Sequence, residues 1–322
     1  MRHSNDHSVQ LESRAPDFLA LGKIAIGCVL YPIQTYKWLH FLRTDAVLAN
    51  LDISYPKWLT RIHQPYVSKR LTCADRVDLL IGHYQFVFGT GLSGLVKKAA
   101  VQPVAVCEFT GRSGSTYQVI LSAMDTNRAD GELSLRLISK DVCIYTVTFI
   151  CLTENGKQAI KIGGLYGLLA TDGTTRIKRI TRDIHGCRPK NLMVMIVREV
   201  GNYLGCEKAL LTSNENKIHA LGKRVCKKSS DYDQTWKELN ATQRADGDFE
   251  LPCALPAVPS GASTEMHDHQ RWQASARNTF MESVLTSIRK QLMKEKLNFR
   301  NNASSYSTSN SLQEKTLNVP VL

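Results

Sequence analysis

The chain has 322 residues, 43% hydrophobic and 22% charged, an ordinary globular balance that argues against an unfolded chain, a fibre or a membrane bundle. Lysine and arginine outnumber aspartate and glutamate by 41 to 29, a net charge of +12. That excess favours nucleic acid, phosphate-bearing cofactors or acidic lipid headgroups, or else it keeps the protein in solution. The nine cysteines have no Cys-x-x-Cys spacing, so they read as reduced thiols packed as small hydrophobes in a cytosolic protein.

Residues 1–16 are mixed in charge, lack an apolar signal core and are expected to be flexible. The apolar stretch 18–31 is broken by Lys23 and followed by Pro32, too short to span a bilayer. It is expected to pack as a helix on the rest of the protein, with a membrane surface as the alternative. Helical spacing recurs in Phe18, Leu21, Ile24 and Cys28, in Trp38, Leu39, Leu42 and Ala46, and in Val77, Leu80, Ile81 and Tyr84. Gly89, Gly91 and Gly94 are expected to end the helix over 75–88, and residues 17–100 to form a helical N-terminal layer.

The period changes near Gln102. Tyr117, Val119, Leu121 and Ala123 alternate with polar neighbours, as do Leu133, Leu135 and Leu137, and apolar runs follow at 143–152 and 159–166. Turn-like links at 111–114, 128–131 and Asn155-Gly156 predict an antiparallel meander of four or five strands. Pro189 predicts a helix start and Gly205 its stop, with Leu192, Met195, Ile196, Val200, Tyr203 and Leu204 on the buried face. A short strand over 209–212 then completes a parallel crossover. Residues 101–255 are expected to be a mixed-sheet core, 256–297 a linker and C-terminal helix, and 298–322, rich in Ser, Asn and Thr, a disordered tail. The expected fold class is α+β.

Four segments resemble the VirK/YbjX family, a bacterial family of undefined biochemical activity. The first is Gln64-Pro65-Tyr66-Val67 with His83-Tyr84, and the second is Ile162-Gly163-Gly164-Leu165-Tyr166-Gly167. The third is His185-Gly186-Cys187-Arg188-Pro189-Lys190-Asn191-Leu192, and the fourth is Ser213-Asn214-Glu215-Asn216 with His219, followed by Leu251-Pro252. Their order and spacing over residues 55–255 carry the resemblance. Cys187 departs from the family's usual leucine, and the basic, tyrosine-rich stretch that tends to follow the Leu-Pro is poorly matched. The resemblance implies a cytoplasmic protein of a Gram-negative bacterium, linked to envelope-related virulence and resistance to host antimicrobial stress. It implies no known reaction and no catalytic residues.

The order of elements is also similar to the N-acetyltransferase fold, in which a strand-to-helix turn holds the pyrophosphate of an acyl thioester donor. That likeness implies an acyl-coenzyme A or acyl carrier thioester near Gly163, Gly164 and Gly167, with the basic stretch of Arg176, Lys178, Arg179, Arg182, Arg188 and Lys190 balancing its phosphates. Glu215 or His219 would serve as general base. The usual pyrophosphate motif is absent and the turn from Gly167 to Pro189 is long, so a β-bulge at the glycines and a solvated basic face compete with the cofactor site. Ser213 and Asn214 could line a cleft or cap a helix, and His83 and Tyr84 could face a pocket or pack as a buried structural pair. His267-Asp268-His269 has no companions at metal spacing, so no metal is expected. Nucleic acid ranks third, because the basic run 222–228 lacks aromatic partners. Two readings stay open: a non-enzymatic factor that contacts an envelope protein or an anionic membrane, cytoplasmic and peripheral on the inner membrane, or an acyltransferase.

Overall fold

The computed structural model describes residues 18–45, 48, 56–124, 129–168, 173–218, 231–254 and 268–316. Its N-terminal layer comprises α1 (Phe18–Leu30), α2 (Pro32–Thr44), α3 (Pro56–Leu59), a 3-10 turn (Arg61–His63), α4 (Cys73–Gly89) and α5 (Ser93–Val101). Pro32 opens α2, where its missing N–H leaves no bond unmade. A reciprocal capping box opens α4: the Thr72 hydroxyl accepts from the Asp75 N–H, and the Asp75 carboxylate accepts from the Thr72 N–H. Trp38, Leu42, Val77, Leu80 and Tyr84 point inward at helical spacing and join Trp58, Ile62, Tyr66 and Ile150 in one apolar cluster. α4 ends at Gly89, and Gly91, at φ 81, turns the chain into a further helix, α5.

The sheet then builds as read. Strands β1 (Val104–Thr110), β2 (Thr116–Ala123), β3 (Leu133–Ser139), β4 (Val142–Glu154) and β5 (Lys157–Gly167) form an antiparallel meander. Asn155 and Gly156 turn β4 into β5 with positive φ at both positions, the conformation that makes this dipeptide a hairpin signal. The chain then passes through α6 (Gly173–Asp183) and α7 (Pro189–Tyr203), the latter buried along most of its length. Gly205, at φ 82, ends that segment, and β6 (Lys208–Leu211) returns parallel to β5, Ala159 opposite Lys208.

After β6 come α8 (Tyr232–Glu238), β7 (Thr242–Gln243), β8 (Phe249–Pro252) and α9 (Asp268–Thr316). The fold is α+β, and its mixed sheet of eight described strands has the order β1-β2-β3-β4-β5-β6-β8-β7. The two late strands were not anticipated, because pieces this short show no period of their own. α9 starts before the expected residue 275 and continues past Leu297 to Thr316, since no Gly or Pro interrupts residues 298–316. One face of the sheet packs on α5, α7 and α9 through Val96, Leu121, Val147, Val197 and Ile288. No single helix among the described residues is long and apolar enough to cross a membrane.

Candidate functional site

A buried polar cluster joins the helical layer to the sheet. Gly131 lies against the β4 backbone, where a Cβ would meet the Phe149 nitrogen at 2.6 Å, and this close approach turns Glu132 inward. The Glu132 carboxylate is 2% exposed. It accepts from Arg61 at 2.6 Å and from the hydroxyls of Tyr66 and Tyr84. Tyr66 is delivered by a strained turn: Val67 has φ 58, rare for a β-branched residue, and its N–H is held by the Ala129 carbonyl at 2.7 Å. Burial, reinforced by the Glu132 charge, pushes both tyrosine pKa values well up, so the hydroxyls stay protonated as donors.

His83, next to this cluster, is fully buried, and its Nδ1 accepts from the Cys151 N–H at 3.1 Å. Burial pushes its pKa down to about 4, against the opposing pull of Glu132. His83 and Tyr84 are both fully buried. An unfolded His83 takes up its proton near pH 6.5, the folded one only near 4. Between these values the unfolded chain binds more protons, so stability rises with pH and is lost as the pH is lowered from about 6.5 to about 4, by up to about 3 kcal/mol. Urea unfolding of wild type and His83→Gln from neutral to acidic pH checks this. The variant is expected to give the flatter profile, and identical profiles would remove His83 as the source.

The glycines of β5 are closed by the chain itself. Gly163 is the extra residue of a β-bulge, since Thr148 faces Gly164 while Phe149 faces Ile162. A Cβ on Gly163 would run into the Asp130 carbonyl oxygen, and one on Gly164 into the Asp130 carboxylate and the Thr148 hydroxyl. Tyr166 donates its hydroxyl to the same carboxylate, and a Cβ on Gly167 would meet the Tyr145 ring at 3.3 Å. The close approach these glycines permit is thus made by Asp130, in the space where the acyl-donor reading put a cofactor. Past Ile162 the outer edge of β5 has lost its β6 partner, and Tyr232 fills the gap. Its hydroxyl accepts from the Leu165 N–H at 2.8 Å and donates to the Leu165 carbonyl at 3.3 Å.

The other expected site residues sit apart. Arg188 and Lys190 pair with Glu238 at 3.1 and 3.4 Å, across the contact between α7 and α8. Cys187 is buried, and burial raises its thiol to about 11, which leaves no thiolate for chemistry. Ser213 and Asn216 are fastened to Asp248, through the Ser213 N–H at 2.9 Å and the Asn216 amide at 2.8 Å. Asn214 bonds Asp231 and Asp233 at the start of α8. Glu215 points out, 64% exposed and paired with Arg70 at 2.9 Å, where no pocket prepares it as a base. His219 lies outside the described residues, as do residues 222–228 and His267.

An open groove of about 690 Å³ lies at the end of the sheet where β2 begins and β5 stops. The β1–β2 and β3–β4 hairpin tips form one wall, carrying Arg112 and Lys140. α6 forms the other with Arg176, Arg179 and Arg182, whose i, i+3, i+6 spacing puts all three on one face. Tyr117, Val142, Ile144, Leu168 and Ile180 make an apolar floor. Asp183 is the one carboxylate lining the groove among the described residues, and it is structurally engaged. It accepts from the Ser113 N–H at 2.6 Å and the Tyr117 hydroxyl at 2.7 Å, and its carbonyl accepts from the Arg112 N–H at 2.9 Å. Burial works against ionising Asp183, but these donors hold its carboxyl below the usual range. Gly111 lets this hairpin close, since a Cβ there would strike the Asp183 carboxylate. Arg112 also reaches the His185 Nδ1 at 3.3 Å.

Arg176, Arg179 and Arg182 belong to the basic stretch noted in the sequence. Arg112 was read only as part of a turn and Lys140 was not singled out, because tips brought together by strand pairing leave no local pattern. Asp130 and Glu132 were missed for the same reason, although an acidic pair flanking a glycine before an apolar strand is the signal that could have found them.

Residues 21–290 match the family described as "Protein of unknown function (DUF535)". The chain belongs to this family. A curated VirK/YbjX relative, "Uncharacterized protein YbjX" of Escherichia coli (strain K12), is 22% identical over 241 residues, covering 72% of each chain. Among solved structures, a cAMP-binding acyltransferase from Mycobacterium smegmatis superposes with TM-score 0.28 and 11% identity, covering 62% of this chain and 64% of that one. A mutant of that enzyme gives TM-score 0.28 and 9% identity, with 66% and 61% covered. The chain thus spans under two thirds of that enzyme, and superpositions this loose transfer no chemistry. In this VirK/YbjX-family chain the first two signature segments converge on Asp130 and Glu132, so they specify the junction between helical layer and sheet.

Proposed function

We propose that this chain is a binding protein rather than a group-transfer enzyme, and that it works at an anionic membrane surface through the cationic groove. The observation that carries this reading is the convergence of Arg112, Lys140, Arg176, Arg179 and Arg182 on one open groove whose only described carboxylate is engaged by Ser113 and Tyr117. An acyl thioester arm, by contrast, would have to displace Tyr232 and Asp130 to reach β5. A row of exposed apolar side chains on α1 and α2, Ile26, Val29, Leu30 and Ile33, also suits the boundary of a bilayer. Peripheral attachment to the inner membrane, and a part in envelope-related virulence and resistance to host antimicrobial stress, follow as the biological form of this reading.

Co-sedimentation with vesicles tests it. Binding is expected to vesicles containing phosphatidylglycerol and not to pure phosphatidylcholine, and to weaken with salt. Each cation near an anionic surface is worth about 1 kcal/mol, so Arg179→Ala with Arg182→Ala should weaken partitioning about 30-fold. Lys178→Ala, on the same helix but outside the groove lining, should do far less. Equal losses in both variants, or no anionic preference at low salt, would defeat the groove as the binding site.

A further inference from the structure

The groove has a feature that charge alone does not require: an apolar floor between cationic walls. Half-buried Val142, Leu168 and Ile180 line its base over the buried Tyr117 and Ile144, and the backbone holds it open. On one side, Asp183 ties the β1–β2 tip to the end of α6 through the Ser113 and Arg112 N–H groups. On the other, the Ser139 hydroxyl donates to the Thr116 carbonyl at 2.7 Å and fastens the two hairpins together. Lys140 and Asp141 both have positive φ, which makes the β3–β4 turn tight. The walls therefore do not depend on a ligand to stand apart, as expected of a preformed site.

We infer that the groove takes one molecule of a phosphate-bearing amphiphile, its phosphate between the α6 arginines and the hairpin cations and its alkyl part on the floor. This rests on the anion-binding reading of the same groove. The volume of about 690 Å³ suits a single small ligand. Inorganic phosphate would leave the floor wet. Nucleic-acid bases would need an open aromatic face, but Tyr117 is 3% exposed and its ring is stacked on Phe109 at 5.3 Å. A phosphate monoester on an alkyl chain satisfies both walls and floor, with guanidinium groups giving paired hydrogen bonds to the phosphate oxygens. A membrane lipid or a free soluble ester could supply this chemistry.

Isothermal titration of the full chain with monomeric ethyl, butyl and hexyl phosphate tests the inference, beside inorganic phosphate, hexanol and phosphatidylglycerol vesicles. Affinity is expected to rise about four-fold per methylene placed on the floor, so hexyl phosphate should bind at least ten-fold more tightly than ethyl phosphate. Leu168→Ser should flatten the chain-length dependence while keeping phosphate binding. Arg179→Ala should weaken every ester alike. Thermal melting of both variants confirms that they fold.

Equal affinity for inorganic phosphate and all three esters would overturn the amphiphile and leave the anion groove standing. Hexanol binding as well as hexyl phosphate would overturn the phosphate. Vesicle binding without any monomer binding would overturn single-molecule capture while sparing the surface reading. No binding of esters or vesicles would bring down both. Monomer binding combined with vesicle binding that hexyl phosphate competes away would mark the lipid as the source, and monomer binding without vesicle binding would mark the free ester.

Discussion

Glu132→Ala is expected to lower unfolding free energy by about 3–5 kcal/mol, read from the midpoint of urea unfolding at neutral pH. The magnitude follows from what the carboxylate leaves behind. Arg61 is 6% exposed, Tyr66 1% and Tyr84 fully buried, so removing Glu132 takes the carboxylate from a buried guanidinium and the acceptor from two buried hydroxyls. The pair itself need not stabilise the fold strongly, because desolvation offsets most of its attraction. It is the uncompensated partner that costs. Glu132→Gln keeps the shape but not the charge and should retain much of the loss. The double variant Arg61→Met, Glu132→Gln should recover part of it, showing that the two effects are coupled rather than additive. A loss below about 1 kcal/mol in Glu132→Ala would show that the cluster is hydrated and open, contrary to its burial.

Gly163→Ala is expected to be the most damaging glycine substitution in β5. The new methyl would press on the Asp130 carbonyl, a backbone atom, so either the Ala129–Asp130 turn or the bulge must move. Moving the turn also disturbs the Val67 N–H bond to Ala129 and the seat of Tyr66. Overpacking alone costs about 1–3 kcal/mol, and a backbone clash belongs at or beyond the upper end. Gly164→Ala meets two side chains instead, those of Asp130 and Thr148, which can rotate, so its loss should be smaller. Thermal unfolding of the two variants reads the order directly, and a Gly163→Ala no less stable than Gly164→Ala would contradict the backbone contact. Loss of binding in larger substitutions here would report on folding and not on a thioester site.

Much of the architecture was legible because it rests on local rules. Helical spacing over Trp38 to Leu42 and Val77 to Tyr84, alternation through Tyr117 to Ala123, Asn155-Gly156, Pro189 and Gly205 each state a backbone preference that burial did not override. α6 was read only as a basic stretch, because Ile177 and Ile180 alone supply its apolar face. β7 and β8 gain their identity from β6, against which β8 pairs Lys208 with Pro252. The neighbour of the β5 glycines was not legible for a geometric reason: glycine permits close approach, but composition does not say by what, and here the neighbour is Asp130.

From the sequence alone came the α+β class, an antiparallel meander of four or five strands, the parallel return and the resemblance to the VirK/YbjX family, since periodicity, turn chemistry and ordered motifs are written along the chain. Tertiary structure alone decided which residues meet. It brought Arg61, Tyr66 and Tyr84 onto Glu132, and it set Arg112 and Lys140 across from Arg176, Arg179 and Arg182. Those encounters depend on strand pairing and on the path of α6 over the sheet end, and contacts between residues so far apart in the chain leave no periodic trace in it.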